Sequence, residues 1–227
     1  MIFEELNNMH KIWWLWLPVI FIGLQLVLEF VLPWKVLAAM HSENGPHELM
    51  QFLILVAAFS IAVRTLFLIG FSSRKPLFFW VLIAALSCFY VAGEEVSWGQ
   101  HFMSWATPEF WQTINDQQET NLHNTSSWLD QKPRLLLEIG VIVGGLLIPW
   151  LRAKKSSMVP ERFDIIYPPA WLGVTALIAL MIKLVDKIGE TIEINIFERA
   201  SEVQELYLFY FVLLYLVQLM SRVKNKN

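Results

Sequence analysis

Residues 76–102 read PLFFWVLIAALSCFYVAGEEVSWGQHF. An apolar run follows the basic pair Arg74 and Lys75, then gives way within a few residues to Glu94, Glu95, Ser97, Gln100 and His101. The apolar part has the length and character of a membrane-crossing helix. The polar part is either the collar where that helix leaves the hydrocarbon or the first half of a site. Which of the two it is decides how the rest of the chain is read.

Composition favours the membrane. The chain has 227 residues, of which 56% are hydrophobic and 16% charged. A water-soluble domain of this size carries about 25% charged residues. The single cysteine, Cys88, falls inside an apolar run, so the chain has no internal disulfide and no cysteine-built zinc site. No Gly-rich phosphate loop occurs, and no basic, aromatic-interleaved surface of the kind that binds nucleic acid.

Working outward, six stretches are long and apolar enough to cross about 30 Å of hydrocarbon as helices, at about 12–32, 49–70, 77–93, 135–151, 168–185 and 204–221. The first is too long for a signal-peptide core and lacks a small-residue cleavage site after it, so it is read as a retained span. Backbone groups in lipid must pair within their own segment, which selects helices. The expected fold class is therefore all-α: a polytopic membrane helix bundle forming one integral-membrane domain over residues 1–227. Thr107 as an N-cap, Pro108 and Glu109 predict a short interfacial helix at about 108–118.

Basic residues set the expected orientation. Lys11, Arg74, Lys75, Arg152, Lys154, Lys155, Arg162, Arg222, Lys224 and Lys226, ten of the 17 Lys and Arg, fall on one side of the six-span arrangement. The positive-inside rule makes that side cytoplasmic, with both termini there.

The opposite side collects the chemistry-bearing residues. Extending the third span through residue 103 puts Glu94, Ser97 and His101 on one helical face, at 0, about 300 and about 340 degrees. Glu95 then points elsewhere. Gln100, Asn121, His123 and Asn124 follow in the same outer segment. On the last span Glu198, Glu202 and Glu205 form an acidic stripe at 0, about 40 and about 340 degrees. Glu29 lies near the outer end of the first span, while His41 and His47 frame a turn that reads as a solvated loop. Carboxylates withdrawn from water need partners, and imidazoles, cations or metal ions supply them.

The candidate catalytic residues are Glu94, Ser97, His101, His123 and Glu205. Glu94 or Glu205 would be a general base, and His101 or His123 an acid or ligand. A divalent cation such as zinc fits carboxylate and imidazole donors from Glu94, His101, His123 and Glu202. Glu95, Gln100, Asn121, Asn124 and Glu198 would line the groove or support it.

Gly93-Glu94-Glu95-Val96-Ser97-Trp98-Gly99-Gln100, then Trp105-Ala106-Thr107-Pro108-Glu109 and Asn121-Leu122-His123-Asn124, resembles the shared core of a family of bacterial multi-pass inner-membrane proteins. That resemblance implies a bacterial inner (plasma) membrane location and no particular reaction. Glu94, Ser97 and His101 are also loosely similar in type to residues of the alkaline ceramidase-like membrane hydrolase superfamily, which implies zinc amidase chemistry across seven helices. The chain departs from that superfamily in having six expected spans, and its last span carries Glu202 and Glu205 in place of a His-x-x-x-His pair.

Three functions follow as expectations. The first is a hydrolase or group-transfer enzyme acting on a lipid or lipid-linked substrate at the outer leaflet, with or without a metal. The second is a non-catalytic sensor, scaffold or complex subunit whose acidic outer groove binds a membrane partner protein or a second copy of the chain. The third is a cation- or proton-coupled transporter. Membrane lipids are expected partners in each, and nucleic acid in none.

Overall fold

The computed structural model describes residues 9–42, 45–71, 74–115, 118–122 and 125–226, with side chains at all of these except His101, Ser127, Leu129, Asp130 and Ser156. Every regular element among the described residues is helical. In chain order they are α1 (Ile12–Val31), α2 (Trp34–Met40), α3 (Pro46–Ile69), α4 (Lys75–Glu95), α5 (Gln100–Met103) and α6 (Glu109–Ile114). Then come α7 (Ser127–Ile142, continued by Val143–Leu147 and Ile148–Lys154), α8 (Gly173–Ile192) and α9 (Ala200–Asn225).

Among the described residues five helices are long and apolar enough to cross a membrane: α1, α3, α4, the Gln131–Lys154 part of α7, and α9. The stretch expected as a fifth span at about 168–185 corresponds to α8, which is long enough but carries Lys183, Asp186, Lys187 and Glu190. The third and fourth spans are longer than expected, because Glu95 at one end and Gln131 at another still fit the helix. A short helix is also found in the 108–118 stretch, over Glu109–Ile114.

Helix α9 is the centre of the bundle. Over the most apolar stretch of each candidate span, 56% of the residues of α9 are buried, against 17–28% in the other four. Val203, Leu206 to Phe209, Leu214 to Leu216 and Leu219 are apolar or aromatic around its whole circumference, as a surrounded helix requires. It packs on α3 and α8, and α3 packs on α4. The peripheral helices turn large apolar side chains outward, including Ile20, Val27 and Phe30 of α1, Phe67 of α3 and Ile83 of α4. In water such a surface would aggregate; against lipid tails it costs nothing.

Two π-helical segments interrupt otherwise regular helices, Ile12–Trp16 in α1 and Val143–Leu147 in α7. Each lies just before a proline, Pro18 or Pro149, whose ring crowds the preceding turn and whose nitrogen donates no hydrogen bond. In the wider π register, Pro18 leaves the Trp13 carbonyl without an intrahelical donor. The Tyr210 hydroxyl of α9 donates to that carbonyl at 2.6 Å, and Tyr207 donates to the Pro18 carbonyl at 2.9 Å. Elsewhere along its length α1 packs on α8, not closely on α3. A lateral opening results between α1, α3 and α9.

The two ends of the bundle differ in chemistry. At one, Arg222 donates to the carbonyls of Asp164, Ile165 and Tyr167, Arg152 pairs with Asp164 at 3.2 Å, and Arg74 donates to the Lys226 carbonyl. The other end gathers the carboxylates, amides and imidazoles.

Candidate functional site

The stretch GEEVSWGQ ends α4 rather than extending it. The helix stops at Glu95, and Ser97, Trp98 and Gly99 take positive φ values of 46, 55 and 98 degrees before α5 begins. Gly93 is the reason the chain can fold back here. A Cβ on it would lie 2.8 Å from the Trp98 ring, so only glycine lets that ring close over the last turn. Trp98 Nε1 then donates to Glu94 Oε1 at 2.7 Å, and the backbone N–H of Leu122 donates to Glu94 Oε2 at 2.6 Å. The expected single face of Glu94, Ser97 and His101 is therefore broken by the turn between them.

Ser97 and its neighbours form a staple that fixes the segment up to residue 122. Ser97 Oγ donates to Glu119 Oε2 at 2.7 Å and accepts from Asn121 Nδ2 at 2.9 Å. Asn121 Nδ2 also reaches Glu119 Oε2, and Asn115 Nδ2 donates to both oxygens of Asn121. Gln100 accepts from the Thr120 backbone and hydroxyl and donates to Thr107 Oγ1. Thr107 does not cap α6; Pro108 stands at that position, and the Thr107 hydroxyl donates to the Gln118 carbonyl instead. Ser97, Asn121 and Glu119 are buried in this network. His123 and Asn124 lie outside the described residues, as does the side chain of His101.

Glu95, the neighbour that the sequence pattern turned aside, faces the shared acidic group. Glu205, Glu202, Glu48 and Glu94 act on it electrostatically, in that order. Arg134 of α7 pairs with Glu205 at 2.7 Å. One turn further along α7, Glu138 holds Lys183 of α8 at 2.5 Å and accepts from Gln204 of α9 at 3.2 Å. Gln51 of α3, fully buried, donates to the backbone carbonyl of Glu202 at 3.0 Å, and its own Oε1 has no hydrogen-bond partner among the described residues. Glu198 does not belong to the stripe. It precedes α9, its side chain is exposed, and its backbone N–H donates to Glu29 Oε2 at 3.1 Å.

The third cluster is one that sequence reasoning placed in a solvated loop. Pro33 forces Leu32 into an extended conformation and ends α1, and α2 then folds back so that His41 returns to the bundle. His41 and His47 stack with ring centroids 4.1 Å apart, and both are buried. Gln25 of α1 joins them: its Nε2 donates to Glu29 Oε1 at 2.8 Å and lies 3.4 Å from His41 Nε2, while its Oε1 lies 3.2 Å from His47 Nε2. His47 Nδ1 is 3.2 Å from the Met40 carbonyl. With the amide assigned in this sense, the His41 proton sits on Nδ1, and that nitrogen has no hydrogen-bond partner among the described residues.

Burial holds the His41 pKa down at about 4, helped by the neighbouring His47 and the Arg199 guanidinium. Arg199 Nη1 donates to the His41 carbonyl at 3.1 Å. His41 Nε2 lies 3.6 Å from Glu29 Oε1, too far to offset its loss of hydration. The imidazole is neutral at pH 7, so it does not balance the Glu29 charge.

Beside this cluster runs the lateral opening. One cleft of about 130 Å³ is lined by Phe21, Leu24, Leu28, Met50, Gln25 and His47, among others. An adjoining cleft of about 170 Å³ is lined by Leu17, Pro18, Ile54, Leu206, Tyr207 and Tyr210 and shares Phe21 and Met50 with the first. Together they make an apolar groove with Gln25 and His47 at one end.

Of the four residues expected to hold a metal, His123 and the His101 side chain lie outside the described residues, which leaves Glu94 and Glu202. None of the described residues form a group of three or more His, Cys, Asp or Glu spaced to hold a metal ion. Both Glu94 oxygens take N–H donors, and Glu202 faces Gln51 across α3 and α9. No family model matches the chain, and neither a curated protein nor a solved structure does.

Proposed function

We propose that the protein is a six-span membrane protein of the bacterial inner membrane, with α8 as the sixth span and both termini cytoplasmic. On this reading it receives a lipid or lipid-linked substrate from the outer leaflet and carries out hydrolysis or group transfer on its head. The observation that carries the reading is the lateral groove, apolar along its length and ending at Gln25 and His47. Ligand sites are mostly apolar clefts with a few convergent polar groups, and this groove opens where lipid tails would be. Six spans also put the arginine-rich end in the cytoplasm and the carboxylate-rich end outside. Exposed Phe102, Met103 and Phe110 would sit at the outer interface.

In this mechanism His47 is the proton-transfer group, because it is the imidazole lining the cleft. Gln25 orients it, and Glu29, held by Gln25 and the Glu198 N–H, is the fixed negative charge behind it. Glu94, Ser97 and Asn121 hold the neighbouring segment in place. The residues first expected to react with substrate thus become positioning residues. Glu205 and Glu202 belong to the acidic belt that joins the helices at the same level.

The non-catalytic reading is favoured by the closed hydrogen bonding around Ser97, which leaves that hydroxyl committed to Glu119. Transport has less support, since Arg64 on the inward half of α3 faces out of the bundle. The test is turnover. Purified protein in nanodiscs made from a bacterial lipid extract should convert one lipid species, seen by mass spectrometry, and His47→Ala should stop the conversion. A lipid retained by the wild type but never converted would establish the non-catalytic role.

A further inference from the structure

Away from the groove, we propose that the arginine-rich end of the bundle carries a docking surface for the head of an anionic phospholipid. The surface is formed where α7 ends at Lys154 and the chain of residues 155–169 turns back to α8. None of its residues lines either cleft, so it stands or falls apart from the groove reading.

The connecting loop is held as a fixed platform. Arg152 of α7 pairs with Asp164 at 3.2 Å, and the Tyr167 hydroxyl donates to the Pro160 carbonyl at 3.1 Å. Arg222 of α9 donates to the carbonyls of Asp164, Ile165 and Tyr167. These contacts use Arg152, Arg222 and Asp164 and leave Lys154, Lys155 and Arg162, all exposed. Among the described residues no carboxylate forms an ion pair with any of the three. With Asp164 taken, Glu161 is the remaining acid of the loop, so three cations stand against one carboxylate.

Two of these cations lie over exposed rings. Lys154 Nζ is 5.1 Å from the centre of the Trp150 ring, and the Arg162 guanidinium is 4.6 Å from that of Phe163. All four cation–ring contacts among the described residues fall at this end, the others being Lys75 over Phe71 and Arg152 over Tyr167. Such a ring draws the charge back along the apolar surface instead of letting the stem extend into water. Trp150 is half-exposed in the last turns of the Gln131–Lys154 span, where its ring meets lipid and Lys154 meets the head-group level. Phe163 and Met158 are exposed on the loop. Unpaired cations next to exposed apolar side chains match a ligand that joins an anion to hydrocarbon. A free phosphate would use the cations alone, and a zwitterionic head brings its own cation and gains less from them.

The test mixes full-length protein in a nonionic detergent with phosphatidylglycerol or phosphatidylcholine of the same acyl chains. Bound lipid is counted by native mass spectrometry. Phosphatidylglycerol is expected to bind about tenfold more tightly, each cation near the surface being worth roughly fivefold. Lys154→Gln, Lys155→Gln and Arg162→Gln together should bring the two lipids to equal affinity. A control that removes the same charge at the opposite end, Lys35→Gln with Lys132→Gln and Lys187→Gln, should keep the preference. Excess inorganic phosphate should leave the lipid in place.

Equal binding of the two lipids to the wild type overturns the proposal. So does a control variant that loses the preference as fully as the first, because net charge alone would then explain it. Displacement of phosphatidylglycerol by inorganic phosphate would make this a free-anion site and overturn the lipid assignment. Should the triple variant not fold, Arg162→Gln alone gives a second measurement: phosphatidylglycerol binding should fall roughly fivefold, and unchanged binding counts against the surface.

Discussion

Glu94 and Glu29 are both glutamates with side chains buried at the same end of the bundle, yet their surroundings differ in kind. Glu94 closes the end of α4: Trp98 and the Leu122 N–H each occupy one oxygen, and the network continues through Ser97, Glu119, Asn121 and Gln100. Glu29 also has one N–H donor on each oxygen, but beside it His41 Nδ1 is buried with no hydrogen-bond partner among the described residues, and His47 faces one more acceptor than a neutral ring can serve. Buried polar groups in folded proteins are nearly always paired. A satisfied network is what a structural staple needs. The other network is incomplete, and Gln25 and His47 carry it to the end of the groove.

The comparison breaks most easily at Glu94. Glu94→Ala leaves the Trp98 indole N–H and the Leu122 N–H without acceptors and should cost about 3 kcal/mol, read as a lower melting temperature in detergent. Gly93→Ala attacks the same turn from the packing side. Its Cβ would meet the Trp98 ring at 2.8 Å, and the expected loss is about 2 kcal/mol. Ser97→Ala removes one donor and one acceptor from the staple, for about 1.5 kcal/mol. It should leave lipid conversion by the folded protein unchanged; complete loss of turnover at full stability would make Ser97 a catalytic residue and unseat the staple.

The smallest expected effect, taken at pH 6, belongs to the other region and depends on pH. His41 has a folded pKa of about 4 against an unfolded value of 6.5. Between these values the unfolded chain binds the extra proton and the folded one does not. Stability should therefore rise as pH goes from about 4 to 6.5, and the penalty is complete below about 4. At pH 6 the difference is roughly 0.8 kcal/mol. His41→Asn should flatten this part of the melting-temperature profile relative to wild type, and an unchanged slope would show that His41 is solvated or paired.

What could be read in the sequence follows from the physics of each feature. Hydropathy over about 20 residues is a long-range average, so α1, α3, α4, α7 and α9 were legible, with errors at their ends. The acidic pair on the last span was legible too, because Glu202 and Glu205 both lie within α9. The turn after Glu95 was not. Gly99 after a helix is a stop signal, but Ser97 and Trp98 in the left-handed region depend on Gly93 making room for an indole, a contact no periodicity reveals. Continuing the helix through that turn kept Ser97 and His101 on the face of Glu94 and sent Glu95 away from the acids it faces. His41 and His47 were assigned to solvent because SENGP reads as an exposed turn. Their burial comes from α2 folding back after Pro33, a tertiary event with only that proline to announce it.

The most direct test is a matched pair, Glu94→Gln and His47→Ala, measured both for melting in one detergent and for lipid conversion in nanodiscs. In Glu94→Gln an amide NH₂ would face an N–H donor, so the melting temperature should fall by on the order of 5 °C while the folded protein still converts lipid. His47→Ala should stop conversion. If instead His47→Ala converts lipid as the wild type does and Glu94→Gln alone abolishes conversion, the closed region and the groove have been assigned the wrong way round.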